Sequence, residues 1–244
     1  MKDEERPLGE HLEELRSRII SSLAAIVLLA GAAYYFRIEL LEFLLRASSE
    51  ESLIYLHPTE AFLTYLKLAV ITGLILSTPW LLYQAWKFIA PALLEKEARL
   101  FRLGFFLGGV LFYFGIGLAV TIGIPYSVRL LTDVGGDNLV SSFTVRNYIT
   151  FSSLLSFASG LIFELPLLIY LMVRLGFVSP ATLRNNRKYV IIIAFTTAAF
   201  ITPTDFFSQA FMAIPLVLLY ELSVALVGLV FGEEGPGDKV GSES

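Results

Sequence analysis

Two glutamates stand inside long apolar runs of this sequence, where a carboxyl group is costly to place. Glu164 lies within Ile162-Phe163-Glu164-Leu165-Pro166, and Glu221 lies in the last apolar run. If these runs cross a bilayer, a charge at their centre costs about 2.5–3.5 kcal/mol, so each acid should face protein or water. The chemistry open to them is proton handling, or a polar contact inside a cavity.

The residues before Glu164 favour an interior position for it. Steps of four residues back along a helix reach Gly160, Ser156 and Ser152, which form a small, polar face. Pro166 removes a backbone hydrogen bond and should bend the helix there. The structural alternative is a protonated glutamate that is hydrogen-bonded to a neighbour such as Thr72, Thr196 or Thr197. For Glu221, structural hydrogen bonding and function both remain open.

Two further acids stand in charged segments outside the apolar runs. Glu14 precedes the first run, and Glu97 lies in the interruption FIAPALLEKEARLFR, residues 88–102. Considered singly, each fits a solvated helical face, because Glu14 is followed by Arg16 and Arg18. Considered together on one membrane face, two carboxylates can receive guanidinium groups through paired hydrogen bonds.

The composition indicates an integral membrane protein. Of the 244 residues 56% are hydrophobic and 16% charged, and the mean hydropathy is +0.71, whereas soluble domains carry about 25% charged residues. The net charge of −4 argues against nucleic acid as a partner. Without cysteine, and with His11 and His57 in separate segments, no metal or other cofactor is expected. The apolar runs lack paired histidines, paired aspartates or a Ser–His arrangement, so an enzyme is not expected.

Six apolar runs follow an amphipathic N-terminal segment, residues 1–18. Ala30-Gly31-Ala32 imitates a signal-peptide cleavage site, but a retained first helix is expected because further spans follow. The fifth run would rise only about 21 Å as a helix, less than the hydrocarbon core. The acidic tail, residues 232–244, is expected to be disordered. The predicted spans of the membrane domain, residues 19–231, are 19–36, 66–86, 103–124, 148–173, 189–202 and 210–231.

Basic residues predict the orientation of these spans. One set of segments holds 13 lysines and arginines, in the N-terminal segment, the second-to-third connection, the fourth-to-fifth connection and the tail. The opposite loops hold four, and Lys67 lies at the edge of a span. Because cytoplasmic loops are enriched in Lys and Arg, both termini are predicted to be cytoplasmic.

Taken in order, these segments resemble the TatC subunit of the twin-arginine protein translocase over about residues 7–231. Each motif is weak alone, but their order across six spans is highly specific. The motifs are His11-Leu12-Glu13-Glu14-Leu15-Arg16-Ser17-Arg18, Pro79 with Phe88-Ile89-Ala90-Pro91-Ala92-Leu93, Phe163-Glu164-Leu165-Pro166, the run from Arg184 to Tyr189, and Thr202-Pro203-Thr204-Asp205 with Ser208-Gln209 and Ala213-Ile214-Pro215.

The resemblance implies an all-α, concave, glove-like bundle whose last two helices are shorter than a bilayer. It also implies recognition of Arg-Arg signal peptides on proteins that are exported already folded. The implied signal-binding residues are Glu14 and Glu97 with Phe88 and Arg99 beside them, and Leu12 and Arg16, which hold the N-terminal segment. The implied interior and outer residues are Glu164 in the concavity, Pro58 and Glu60 in an outer cap, and Asp205 and Gln209 in the outer loop motif, with Gln209 tied to partner contact.

The resemblance further implies single-span partners similar to TatA and TatB, self-association in the complex, and transport driven by the proton gradient. The expected location is the cytoplasmic membrane of a prokaryote. A hypothesis from another class is a proton-coupled small-solute transporter that uses Glu164 and Glu221. Such folds usually contain internal repeats with paired broken helices, and the two halves of this sequence show no convincing match.

Overall fold

The computed structural model describes residues 8–48, 53–54, 57–89, 95–134, 144–201 and 206–231. Within these ranges the chain is helical, apart from short connections and one isolated β-bridge between Ile54 and Thr144. The helices are α1 (Leu8–Tyr35), α2 (Arg37–Ser48), α3 (Pro58–Ile89), α4 (Glu95–Leu118), a π-helical turn (Ala119–Gly123), α5 (Ile124–Val134), α6 (Val145–Phe163), α7 (Leu165–Arg174), α8 (Pro180–Asn185), α9 (Arg187–Ile201) and α10 (Phe206–Phe231).

Five helical stretches of the described chain are long and apolar enough to cross a membrane. The prediction of an all-α membrane protein is thereby confirmed, whereas six spans and the placement of the termini stay predictions. Helix α9 has 15 residues and rises about 22 Å, as expected for a short fifth run. The implied shortness of the last helix is wrong, because α10 has 26 residues and rises about 39 Å. The five stretches are Leu12–Tyr35, Thr59–Phe88, Gly104–Leu130, Val145–Arg174 and Gln209–Phe231.

Helix α1 joins the amphipathic N-terminal segment to the first apolar run without a break. It packs along α3, and the two backbones approach closely at Gly73. A Cβ atom on Gly73 would lie 2.5 Å from the backbone nitrogen of Ala30. Only glycine permits this approach, so α1 and α3 are in close contact near the C-terminal end of α1.

The core lies where α4 and α6 pack against each other. Phe112 of α4 and Leu155 of α6 are fully buried, and Gly160 lets α6 approach the ring of Phe112. Tyr148, at the start of α6, donates a hydrogen bond of 2.5 Å to the carbonyl oxygen of Leu44. This bond ties the short helix α2 to the core.

The fourth apolar run is broken at Glu164. Helix α6 ends at Phe163 and α7 begins at Leu165, with Pro166 in the first turn of α7. The proline has no N–H to donate to the preceding turn, so the interruption occurs where its sequence position predicts a bend. The break places Glu164 at the junction of two helices.

Candidate functional site

Glu14 is held at the junction of α1 and α3. The Arg18 guanidinium, one turn later in α1, donates from Nε to Glu14 Oε1 at 3.1 Å and from Nη2 to the same oxygen. It also donates to Gln84 Oε1 and to the Lys87 carbonyl oxygen of α3, each at 3.2 Å. Gln84 in turn donates to Ser21 Oγ at 3.2 Å. The exposed fractions of the Arg18 and Glu14 side chains are only 16% and 24%.

The other predicted signal-binding residues differ in exposure and in whether the structure describes their side chains. Phe88 is half-buried near the end of α3, and Leu12 and Arg16 of α1 are exposed. Glu97 and Arg99 belong to the first turns of α4, but their side chains lie outside the described residues.

Chain length limits how far the start of α4 lies from the end of α3. Six peptide steps join Ile89 to Glu95, and six residues of extended chain reach about 20 Å. The first turn of α4 is therefore kept at the same end of the molecule as Glu14.

An apolar groove, which was not among the predicted sites, runs between α3 and α4 beside this junction. Its volume is about 390 Å³ and aromatic side chains dominate its wall. The ring centroids of Trp86 and Phe105 lie 5.8 Å apart, and Tyr113 OH donates to the Ile75 carbonyl oxygen at 3.2 Å. The sequence signal was the helical spacing of Leu82, Tyr83 and Trp86 opposite Phe105, Phe106, Gly109 and Tyr113.

Glu164 faces protein, as the small, polar face of Gly160, Ser156 and Ser152 predicted. The residue is 6% exposed, and a Cβ atom on Gly108 of α4 would lie 2.7 Å from Glu164 Oε2. Glu164 Oε1 is buried without a hydrogen-bond partner in the described chain. The hydroxyls of Ser152, Ser153 and Ser156, earlier in α6, share this state. A buried polar atom that stays without a partner costs about 1–3 kcal/mol.

Glu221 has different surroundings from Glu164. Its carboxylate Oε2 lies 3.1 Å from Nη2 of Arg187, in the first turn of α9, and both side chains are substantially exposed. The ion pair joins α10 to α9, which fits the structural interpretation of Glu221.

The predicted outer residues that the structure describes lie at the start of α3 and in α10. Pro58 starts α3, and Glu60 lies in its first turn, where the Glu60 backbone N–H donates to the His57 carbonyl oxygen at 3.0 Å. Gln209 of α10 donates from Nε2 to the Phe195 carbonyl oxygen of α9 at 2.9 Å. It borders a shallow pocket of about 340 Å³ with Thr196 and Phe200. Asp205 lies outside the described residues.

The described residues contain no group of three or more His, Asp or Glu side chains that could hold a metal ion. The candidate sites among the described residues are instead the junction at Glu14, the apolar groove between α3 and α4, and the contact of Gln209 in α10 with α9. This set suits the recognition of peptide segments, through charge at one end and apolar packing along the helices.

Comparisons with known proteins match the chain to one family. The family model described as Sec-independent protein translocase protein (TatC) matches residues 10–215. A Sec-independent protein translocase protein TatC from Desulforapulum autotrophicum is 38% identical over 243 residues, covering 98% of this chain and 90% of the relative. The protein of that name from Aquifex aeolicus is 40% identical, covering 90% of this chain and 94% of the relative.

Two solved structures resemble the chain over most of its length. A crystal structure of the twin arginine translocase receptor TatC superposes with a TM-score of 0.80 at 38% identity, covering 90% of this chain and 98% of the other. A second crystal structure of that receptor, in DDM, gives a TM-score of 0.81 at 37% identity, covering 89% and 99%.

Proposed function

The chain belongs to the TatC family of Sec-independent protein translocase proteins, and on that premise we propose that it is the receptor subunit of a twin-arginine translocase. It binds the Arg-Arg signal peptides of folded cargo proteins on the cytoplasmic face. As a translocase component it is a transport protein. The observation that carries the proposal is the placement of Glu14 against the end of α3, with the first turn of α4 tethered nearby.

In the proposed binding step, Glu14 and Glu97 receive the arginine pair. Guanidinium groups bind carboxylates through two parallel hydrogen bonds, which a lysine ammonium cannot reproduce. Fully exposed ion pairs contribute only about 0–1 kcal/mol. The partial burial of Glu14 therefore matters, because a desolvated carboxylate discriminates more strongly between cations.

Apolar packing supplies the remaining affinity. The groove between α3 and α4 starts near Trp86, one turn before the end of α3, so a peptide docked at the junction can lay its apolar segment along it. Burial of apolar surface contributes about 25 cal/mol per Å². The groove therefore supports affinity, and the carboxylates support selection of arginine.

Binding of synthetic signal peptides to the purified full-length protein tests this proposal. Arg-Arg peptide should bind more tightly than its Lys-Lys variant, and Glu97→Ala should reduce the difference between them. Equal affinity for the two peptides, or an unchanged preference in Glu97→Ala, contradicts the receptor function. A solute flux in liposomes that Glu164→Gln abolishes would support the transporter hypothesis instead.

Single-span partner subunits similar to TatA and TatB are proposed to dock at α9 and α10, and copies of the chain to associate in the complex. The short helix α9 has an exposed apolar face that includes Ile192, Ile193 and Phe200, and Gln209 is the polar residue beside it. Gln209→Leu should reduce co-purification of the partners at unchanged expression. Unchanged co-purification contradicts this docking site.

The proposed location is the cytoplasmic membrane of a prokaryote, with six spans and both termini in the cytoplasm. The 13-to-4 division of basic residues supports this orientation. Because the chain has no cysteine, single cysteines can be labelled from outside without background. Asn147→Cys, at the start of α6, should react in intact cells, and Asn186→Cys, before α9, only after permeabilisation. The reverse pattern contradicts the topology.

A further inference from the structure

A polar cavity of about 570 Å³ lies between the first turns of α3 and α6, away from the Glu14 junction. Thr59 and Glu60 of α3 line it on one side, and Thr144, Arg146 and Asn147 of α6 line it on the other. Neither the charge count nor the family motifs assign a ligand to this cavity.

Two cations that have no carboxylate partner among the residues the structure describes line this cavity. Lys67 Nζ donates to the Thr150 hydroxyl at 3.0 Å, which leaves its charge uncompensated. Arg146 is exposed and makes no hydrogen bond or ion pair with any residue that the structure describes. Glu60 is the carboxylate among the described lining residues, so the positive charges outnumber it.

The backbone adds to this positive field. Both α3 and α6 begin at the cavity, and the N-terminus of a helix carries about half a positive charge. Hydroxyl and amide donors of Thr59, Thr144 and Asn147 stand in the same wall. Two cations and neutral side-chain donors suit a phosphate group, whose oxygens only accept hydrogen bonds. The helix starts contribute their field rather than free donors, because the backbone N–H groups of Glu60, Val145 and Asn147 already donate within the chain.

The surface beside Lys67 suits the acyl chains of a lipid. Leu63 and Val70 of α3 are exposed large apolar residues and share a helical face with Lys67. Lys67 itself lies at the border between this apolar face and the polar cavity. A phospholipid can therefore place its headgroup in the cavity while its chains follow α3.

We propose that this cavity binds the phosphate group of an anionic phospholipid from the leaflet that faces it. Lys67 and Arg146 neutralise the headgroup, and Thr59, Thr144 and Asn147 donate hydrogen bonds to it. The bound lipid bridges the first turns of α3 and α6. This site is independent of signal-peptide binding at Glu14.

Lipid retention tests the site on the full-length protein. The protein is reconstituted in nanodiscs of phosphatidylcholine with a minority of phosphatidylglycerol, re-extracted in mild detergent and analysed by native mass spectrometry. We expect the wild-type protein to retain phosphatidylglycerol. In K67Q/R146Q the amount of bound phosphatidylglycerol should fall about fivefold for each cation removed. The control R46Q/R129Q removes two arginines outside the cavity and should retain the lipid. The single variant R146Q, at an exposed residue without a described partner, repeats the test with minimal effect on folding.

A second arm identifies the source of the phosphate. Inorganic phosphate is added to protein in pure phosphatidylcholine nanodiscs and the melting temperature is measured. If phosphate stabilises the wild type but not K67Q/R146Q, and phosphatidylglycerol is not retained, the site binds a free anion and the lipid assignment is wrong. Equal loss of lipid in K67Q/R146Q and R46Q/R129Q overturns the proposal. So does a wild-type protein that neither retains phosphatidylglycerol nor is stabilised by phosphate. A third outcome also overturns the proposal: K67Q/R146Q retains the lipid but its copies no longer associate. The two cations would then pair with a second copy of the chain instead of a lipid.

Discussion

Glu14 already has an arginine partner within its own helix. Arg18 contacts Glu14 Oε1 from two nitrogens and reaches Gln84 and the Lys87 carbonyl oxygen of α3 with the same guanidinium. The proposed receptor carboxylate is therefore part of the α1–α3 contact. Its orientation depends on how α1 and α3 pack.

Arg18→Gln should lower the free energy of unfolding by about 0.5–1.5 kcal/mol, because the partly buried Gln84 Oε1 and the exposed Lys87 carbonyl oxygen of α3 lose their donor. The measurement is the thermal stability of the purified protein in detergent. Arg129→Gln, at an exposed arginine of α5, is the matched control and should change stability by less than about 0.5 kcal/mol. Equal effects of the two variants would contradict a structural role for Arg18.

Glu14→Gln should weaken Arg-Arg peptide binding by about tenfold, because a hydrogen bond to a charged group contributes about 1.5–3 kcal/mol when partly buried. Isothermal titration with the synthetic peptide measures the affinity. Glu13→Gln is the matched control, since Glu13 is the exposed neighbour and carries the same charge. A similar loss in both variants would mean that net charge, not the position of Glu14, attracts the peptide. A similar loss in Arg18→Gln would assign the effect to α1–α3 packing.

Gly73→Ala should destabilise the protein strongly. The added methyl group would lie 2.5 Å from the Ala30 nitrogen, which is backbone and cannot rotate away, so α1 and α3 must separate at a cost of about 1–3 kcal/mol. Gly31→Ala, with nothing within 4 Å of the added atom, should instead stabilise α1 by about 0.5–1 kcal/mol. Thermal unfolding of the two variants measures the difference, and a stable Gly73→Ala protein would contradict the close approach.

Glu164→Leu should raise the thermal stability while impairing export. The substitution removes a buried carboxyl oxygen without a described hydrogen-bond partner, whose burial costs about 1–3 kcal/mol. Export of a folded reporter with an Arg-Arg signal peptide measures function, and unfolding in detergent measures stability. Glu164→Gln, which keeps the polar shape, is the control. Lower stability of Glu164→Leu would show that the carboxyl group is satisfied in the membrane and serves the fold.

Several features of the site were predictable from residue order alone. The Pro166 interruption, the interior face of Ser152 and Ser156, and the short fifth helix follow from local rules of helix geometry, and the structure contains all three. Within the described chain, Glu164 Oε1 has no hydrogen-bond partner, so the alternative of a bond to Thr72, Thr196 or Thr197 has no support there, and Glu164 Oε2 lies against Gly108 of α4. Which helix faces Glu164 depends on packing between distant segments.

Residue order is enough to show that the chain is helical, apolar enough for a membrane and a member of its family, because hydropathy, helical period and motif order can be read from it directly. Three relationships depend on the folded chain: Arg18 contacts α3, aromatic residues of α3 and α4 enclose a groove, and Lys67 shares a cavity with Arg146. These pairs lie far apart in the chain. Their proximity follows from the packing of distant helices, such as the approach of α1 to α3 at Gly73, which periodicity does not predict.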